Sequence, residues 1–250
     1  MALFKDTAGE SAAQTTSLFT SGAITMCGFF KFDNFSNFSA PYTWRNVSSV
    51  DQVGINVASS PPGRLSGRVR VSGTNYDTGT ITLSTGVWYF IAVTRDSAGT
   101  TSRVYARAVG AAGALSTQTG TPAAGSIDFT REELPNQGVT VGIHHAGIRT
   151  WTVELTAEEL ERESRQLSPK RLLNLISFKP CVGGTLTENY RDMSAAGTAF
   201  TTLSSAPTVV EGPPVPWRAF RRRRRVSSVA GAGGAALSLP TIGSSSQVFA

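Results

Sequence analysis

Gly86 to Asp96 reads GVWYFIAVTRD, and its central run, Val87 to Thr94 (VWYFIAVT), holds only apolar, aromatic or β-branched residues. Such a run suits a strand buried on both faces in the middle of a sheet. Asp96 to Thr100 (DSAGT) follows with turn chemistry, and Ser102 to Val109 (SRVYARAV) resumes an alternating pattern. Residues 87–109 are therefore expected to form a β-hairpin.

Period two dominates on either side of this hairpin, with turn residues between short runs, as in half-buried antiparallel strands. Ala23 to Phe32 (AITMCGFFKF), Arg68 to Val71 (RVRV), Val139 to His144 (VTVGIH) and Ile148 to Val153 (IRTWTV) read as strands, the last two flanking Ala146-Gly147. One helix is signalled. Thr156-Ala157-Glu158-Glu159 forms a capping box, in which the Thr156 hydroxyl accepts from the Glu159 amide and the Glu159 carboxylate reaches back to the Thr156 amide. The helix is expected from about Ala157 to Leu167, ending before Ser168-Pro169. A stripe of Leu160 and Leu167 among charged residues makes it a surface helix lying on a sheet. Pro213, Pro214 and Pro216 end the regular structure.

The chain has 250 residues, 40% of them apolar and thirteen of them Phe, enough for a full core and against general disorder. Its formal charge of +6 is local. Without Arg218 and Arg221 to Arg225, 17 basic residues stand against 17 acidic ones. The body is thus neutral, with no basic face that spacing reveals, which argues against a nucleic-acid-binding globule. Cys27 and Cys181 are too few for a disulfide-built domain and are expected as buried reduced thiols. The opening MALFKDTAGESAAQTT lacks the basic and continuous apolar regions of a secretory signal, so without a precursor segment entry into the general secretion route is not expected. No window of about 20 large apolar residues suggests a membrane span.

The residues 86–96 resemble the central hairpin of laminin-G-like, concanavalin A-like jelly-roll domains, which carry Gly-x-Trp followed by alternating apolar residues and a turn. Ile24 to Phe32, Val139 to Gly142, and Trp151 to Glu161 (WTVELTAEELE) follow in the family's order, the last resembling its strand-then-helix ending. Ile176 to Val210 also resembles a family element, one usually near the start of the domain, and its displacement hints at a rearranged strand order or a second small sheet. The resemblance implies an all-β antiparallel sandwich with one short surface helix and an extended C-terminal arm. The expected organisation is an extension over residues 1–14, the jelly roll over 15–212, a Pro/Arg-rich linker over 213–225, and a Gly/Ala/Ser-rich tail over 226–250. The family includes lectins, adhesion modules, glucanases and decoration or attachment modules of tailed-phage particles, and the fold does not choose among them.

A retaining glucanase needs two carboxyl groups about 5 to 5.5 Å apart. No Glu-x-Asp-x-Glu strand motif is present; Glu161 and Glu163 fall on the helix, and Glu132 and Glu133 point to opposite faces of any strand. His144 and His145, the only histidines, likewise face opposite sides of a strand and cannot share a metal without a bulge. They read as one packed and one solvated imidazole. Asp33, Asn34 and Asn37 in one loop, and Asn75 with Asp77 in another, could offer oxygen ligands to calcium or simply make turns. Tyr42, Trp44 and Tyr76, in or beside polar loops, could stack a sugar or pack in the core. The run Arg221, Arg222, Arg223, Arg224 and Arg225 should stay extended until it meets an anionic partner, and the tail beyond it could add a strand to a neighbour's sheet.

These readings lead to a non-enzymatic structural module of a phage-like particle, located in the virion, with capsid or tail proteins as partners and no specific nucleic acid or membrane. A homo-oligomer is implied by the resemblance. The alternative is an extracellular lectin-like module that binds a host glycan through Tyr42, Trp44 and Tyr76.

Overall fold

The computed structural model of the chain describes residues 2–5, 12–35, 39–46, 48, 50–134, 142–181, 192–194, 201–202 and 208–216. These residues form two antiparallel sheets. Sheet A runs β11 (Ser116–Gly120), β10 (Ser102–Ala108), β9 (Trp88–Arg95), β3 (Ile24–Phe32), β13 (Ile143–Trp151), β1 (Ala2–Lys5) and β16 (Thr208–Val210), with β14 (Leu175–Lys179) also paired to β13. Sheet B runs β15 (Thr201–Thr202), β2 (Ala12–Ser21), β12 (Ile127–Leu134), β4 (Ser39–Arg45), β5 (Gln52–Ser59), β6 (Pro62–Val71) and β7 (Thr74–Asp77), with β8 (Ile81–Thr82) beside β6.

The expected hairpin is β9 and β10, and β9 lies inside its sheet between β10 and β3. Alternation sends Met26, Phe30, Ile91 and Val93 from sheet A and Trp44, Val53, Ile55, Leu65, Val69 and Phe129 from sheet B into one core between the layers. Apart from the partly exposed Lys31, Trp88 and Tyr89, the other residues of β3, β9 and β13 are buried as well. Cys27, Phe29, Phe90 and Trp151 pack with Leu155, Leu160, Leu167 and Leu175 in a second core on the far side of sheet A. A single helix among the described residues, α1 (Ala157–Glu163), covers this side.

Both halves of the capping box form at Thr156. The helix stops at Glu163, four residues short of the expected Leu167: after the Ser164 amide bonds the Leu160 carbonyl, the Arg165 amide turns to the Arg162 carbonyl, and a later bond of the helix is diverted as well. The Glu163 carbonyl accepts from the Arg149 guanidinium at 2.8 Å, and the Leu167 amide donates instead to the Pro216 carbonyl. Arg149 is fully buried, ion-paired to the Glu163 carboxylate and set against the rings of Phe29 and Phe90.

Two further expectations are corrected, and the two alternatives open for the late segment narrow to one. The two strands foreseen around Ala146-Gly147 are one strand, β13, with a register shift between Ala146 and Arg149. Gly147 sits in that bulge at φ +58, and a Cβ there would come within 2.9 Å of the Leu167 carbonyl oxygen. Residues 1–14 are not simply an extension: Ala2–Lys5 forms β1 between β13 and β16, and β2 begins at Ala12. The described residues of the late segment make no separate sheet. β14 and β16 join sheet A and β15 joins sheet B, so the rearranged strand order is the form the displacement takes. Cys27 and Cys181 are free and buried; burial pushes the Cys27 thiol up to about 12 against the pull of Arg149, and Cys181 is raised likewise.

Candidate binding face

The aromatic platform expected at Tyr42 and Trp44 does not form. Both side chains alternate inward from β4, are fully buried, and belong to the core between the sheets. Their polar atoms are used there. Trp44 Nε1 donates to the Tyr42 hydroxyl at 2.8 Å and to Thr150 Oγ1 at 3.0 Å, and the Tyr42 hydroxyl donates to Glu132 Oε1 at 2.6 Å. Burial, with the Glu132 carboxylate next to it, raises the Tyr42 phenol well above its ordinary value. Tyr76 stands opposite Val69 on the edge strand β7 and is half-buried, so the three aromatics share no surface. Arg221–Arg225 and Asn37 lie outside the described residues.

Two other loop candidates are engaged with neighbours. Asp33 receives His144 Nε2 at 3.0 Å, and Asp77 receives the Arg68 guanidinium through two hydrogen bonds of 2.8 Å. Both histidines are buried, which corrects the reading of one as solvated. His144 is enclosed by the edge of Trp88 and by Asp33, and His145 pairs across from Phe30 on the core side. Burial lowers the His144 pKa, and Asp33 offsets part of that shift.

The second core covers the far side of sheet A, which leaves the outer side of sheet B as the sheet face dressed in polar groups. Its residues are the alternates of the core set. Cross-strand register lines up Arg131, Arg45, Gln52, Arg70 and Asn75 on β12, β4, β5, β6 and β7 in one continuous row. A second row beside it holds Glu133, Thr43, Gly54, Arg68 and Asp77. With strands about 4.8 Å apart, each row spans about 19 Å. Arg64 extends the same face along β6.

Five guanidiniums thus share a face with two carboxylates, one at each end of the second row. Glu133 accepts two hydrogen bonds from Arg45, at 2.7 and 2.9 Å, and is ion-paired to Arg131 at 2.6 Å. Arg70 uses its Nε on the Gly73 carbonyl, and Arg64 reaches Thr80. The formally neutral body therefore does carry a basic face, one that spacing along the sequence does not reveal. Its parts come from strands far apart in the chain, and only the register collects them; the one local trace is the alternation of Arg64, Arg68 and Arg70 in RLSGRVR. Guanidinium groups are planar, forked donors suited to carboxylate or sulfate groups, and on this face Glu133 and Asp77 already fill the forks of Arg45 and Arg68. The two carboxylates lie four strand steps apart, far beyond the roughly 5 to 9.5 Å that glycoside hydrolysis requires, and each is neutralised by arginine.

A proposed carbohydrate-binding protein from Bacteroides ovatus ATCC 8483 has a similar structure, with a TM-score of 0.58 at 14% identity over 85% of this chain and 60% of that one. The fold is an antiparallel β-sandwich of jelly-roll type. The jelly roll spans 60% of the length of the Bacteroides protein. It is also similar to a heptameric pentraxin from Limulus polyphemus, with a TM-score of 0.48 at 12% identity over 84% of this chain and 91% of that one. The LG1–3 region of the laminin α2 chain gives 0.45 at 12% identity over 60% and 31%. No protein-family model and no curated protein matches the chain. Among the described residues of the jelly roll, no helix is long and apolar enough to cross a membrane, and no group of three or more His, Cys, Asp or Glu could hold a metal ion.

Proposed function

We propose that the chain is a non-catalytic, lectin-like carbohydrate-binding module acting outside the cell, and that the outer face of sheet B reads a glycan carrying carboxylate or sulfate groups. The row of Arg131, Arg45, Gln52, Arg70 and Asn75 carries this reading, because it offers forked cations and amide groups along one line. The likeness to the Bacteroides protein supports the carbohydrate class. The particle-assembly reading rests on residues 218–250, outside the described set, and nothing in the two sheets favours it.

Binding to immobilised polyuronate and sulfated polysaccharide, with a neutral glucan as control, tests the proposal. The acidic glycans should be retained, less so as salt is raised, and the double variant R64A/R70A should lose most of the retention. Failure to retain either acidic glycan, or equal retention by the variant, would overturn it.

A further inference from the structure

Lys179 closes β14 and lies on the core side of sheet A, opposite Ile148. Its Nζ is 2.7 Å from Glu132 Oε2, 2.7 Å from Ser177 Oγ and 3.6 Å from Asp192 Oδ2. None of the Lys179, Glu132 and Asp192 side chains reaches solvent. One amine and two carboxyl groups sealed in a core are poorly stabilised with all three charged.

The two oxygens of Asp192 differ. Oδ1 accepts the backbone amides of Phe178 at 3.0 Å and Ser194 at 2.8 Å, whereas Oδ2, the oxygen nearer the amine, has no hydrogen-bond partner. Two amides on one carboxyl oxygen polarise the carbon as an oxyanion hole does. The amine faces the other oxygen, and Glu132 sits at hydrogen-bond distance to carry its proton.

From this arrangement we propose that Lys179 and Asp192 condense into an intramolecular isopeptide bond, with Glu132 as the proton carrier. The reaction starts from the Lys179 ammonium, the Glu132 carboxylate and the protonated Asp192 carboxyl. Glu132 takes a proton from Nζ, and the neutral amine attacks Asp192 Cγ, forming the C–N bond and placing negative charge on Oδ1 between the two amides. Glu132 then delivers its proton to the Oδ2 hydroxyl and takes another from the nitrogen. The Cγ–Oδ2 bond breaks, one water leaves, and a neutral amide remains beside a protonated Glu132. No oxidant or cofactor enters, and the buried ion pair is replaced by uncharged groups, which favours the product. Fixed proximity in a site closed to bulk water supplies the drive that free carboxyl and amine lack. The product ties β14 to the segment 192–194, which already lies along it through the Met193 amide and the Phe178 carbonyl.

The intact mass of the full chain, taken under denaturing and reducing conditions and corrected for any loss of Met1, should fall short of the sequence mass by one water. Trypsin should release residues 172–191 and 192–218 as one branched species. K179R and D192A should each restore the full mass, and E132Q should leave most molecules unlinked. A wild-type mass equal to that of the sequence overturns the proposal without need of any variant. A one-water deficit that persists in K179R overturns it as well, and a complete deficit in E132Q removes Glu132 from the mechanism.

Discussion

Arg149 and Glu163 meet at 2.8 Å with neither side chain reaching solvent, one at the bulge of β13 and the other at the last residue of α1. The second Glu163 oxygen accepts the amides of Lys170 and Arg171, and Arg149 also holds the carbonyls of Glu163 and Gln166. One ion pair thereby fastens the helix and the loop after it over the outer core. Removing one member strands the other in a dry site, at a cost of about 3–5 kcal/mol. Arg149→Met is expected to lower the unfolding free energy by that amount in urea titration. A loss under about 1 kcal/mol would mean that the apolar contacts alone hold the helix in place.

The helix start can be weakened separately. Thr156→Ala removes the acceptor for the Glu159 amide and should cost about 1 kcal/mol, while Thr156→Ser should be nearly neutral. Burial works against the Glu159 charge, but the Thr156 amide and the Arg171 guanidinium outweigh it and hold the carboxyl below the ordinary carboxylate value. The Glu159 share of the stabilisation is therefore full above the unfolded carboxyl's pKa and is lost as pH falls through the lower folded value. Comparing the two variants with the parent by thermal melts at neutral and strongly acidic pH checks both statements; the difference between Thr156→Ala and parent should shrink in acid.

His144 gives a pH dependence in a higher window. Burial depresses its folded pKa below the ordinary 6.5, with Asp33 offsetting part of the shift. The unfolded chain then binds the proton more readily than the native one, so this residue's contribution is present above pH 6.5 and declines as pH falls through that value. His144→Gln should flatten the slope of melting temperature between about pH 7.5 and 5.5. An unchanged slope would assign the acid sensitivity of that range to other groups.

Local pattern made the hairpin of β9 and β10 and the start of α1 legible, because each depends on neighbours in sequence: a β-rich run with a turn, and a hydroxyl three residues before a carboxylate. What reads poorly depends on partners far away. Tyr42 and Trp44 look like loop aromatics until Glu132 and Thr150 supply buried acceptors for them. Glu163 looks like one more surface charge on a helix until Arg149 meets it from another strand. The basic face follows the same rule, since Arg45, Arg70 and Arg131 become neighbours only through the pairing of β12, β4, β5 and β6. Glu132 and Glu133 do point to opposite faces, as alternation requires, but the inward one had no visible reason to be tolerated before Lys179 was placed against it.

The strand order also sets a timetable for synthesis. β1 lies between β13 and β16, and β2 lies between β12 and β15, so among the described residues these two strands pair only with segments made after residue 126. On the ribosome, the hairpins from β4 to β7 and from β9 to β10 can close as they emerge, while β1 and β2 must wait with their edges unpaired. Sheet closure is thus a late event, dominated by long loops and slow to nucleate. The amino-terminal strands are where a nascent chain is most open to mispairing or to a chaperone's grip.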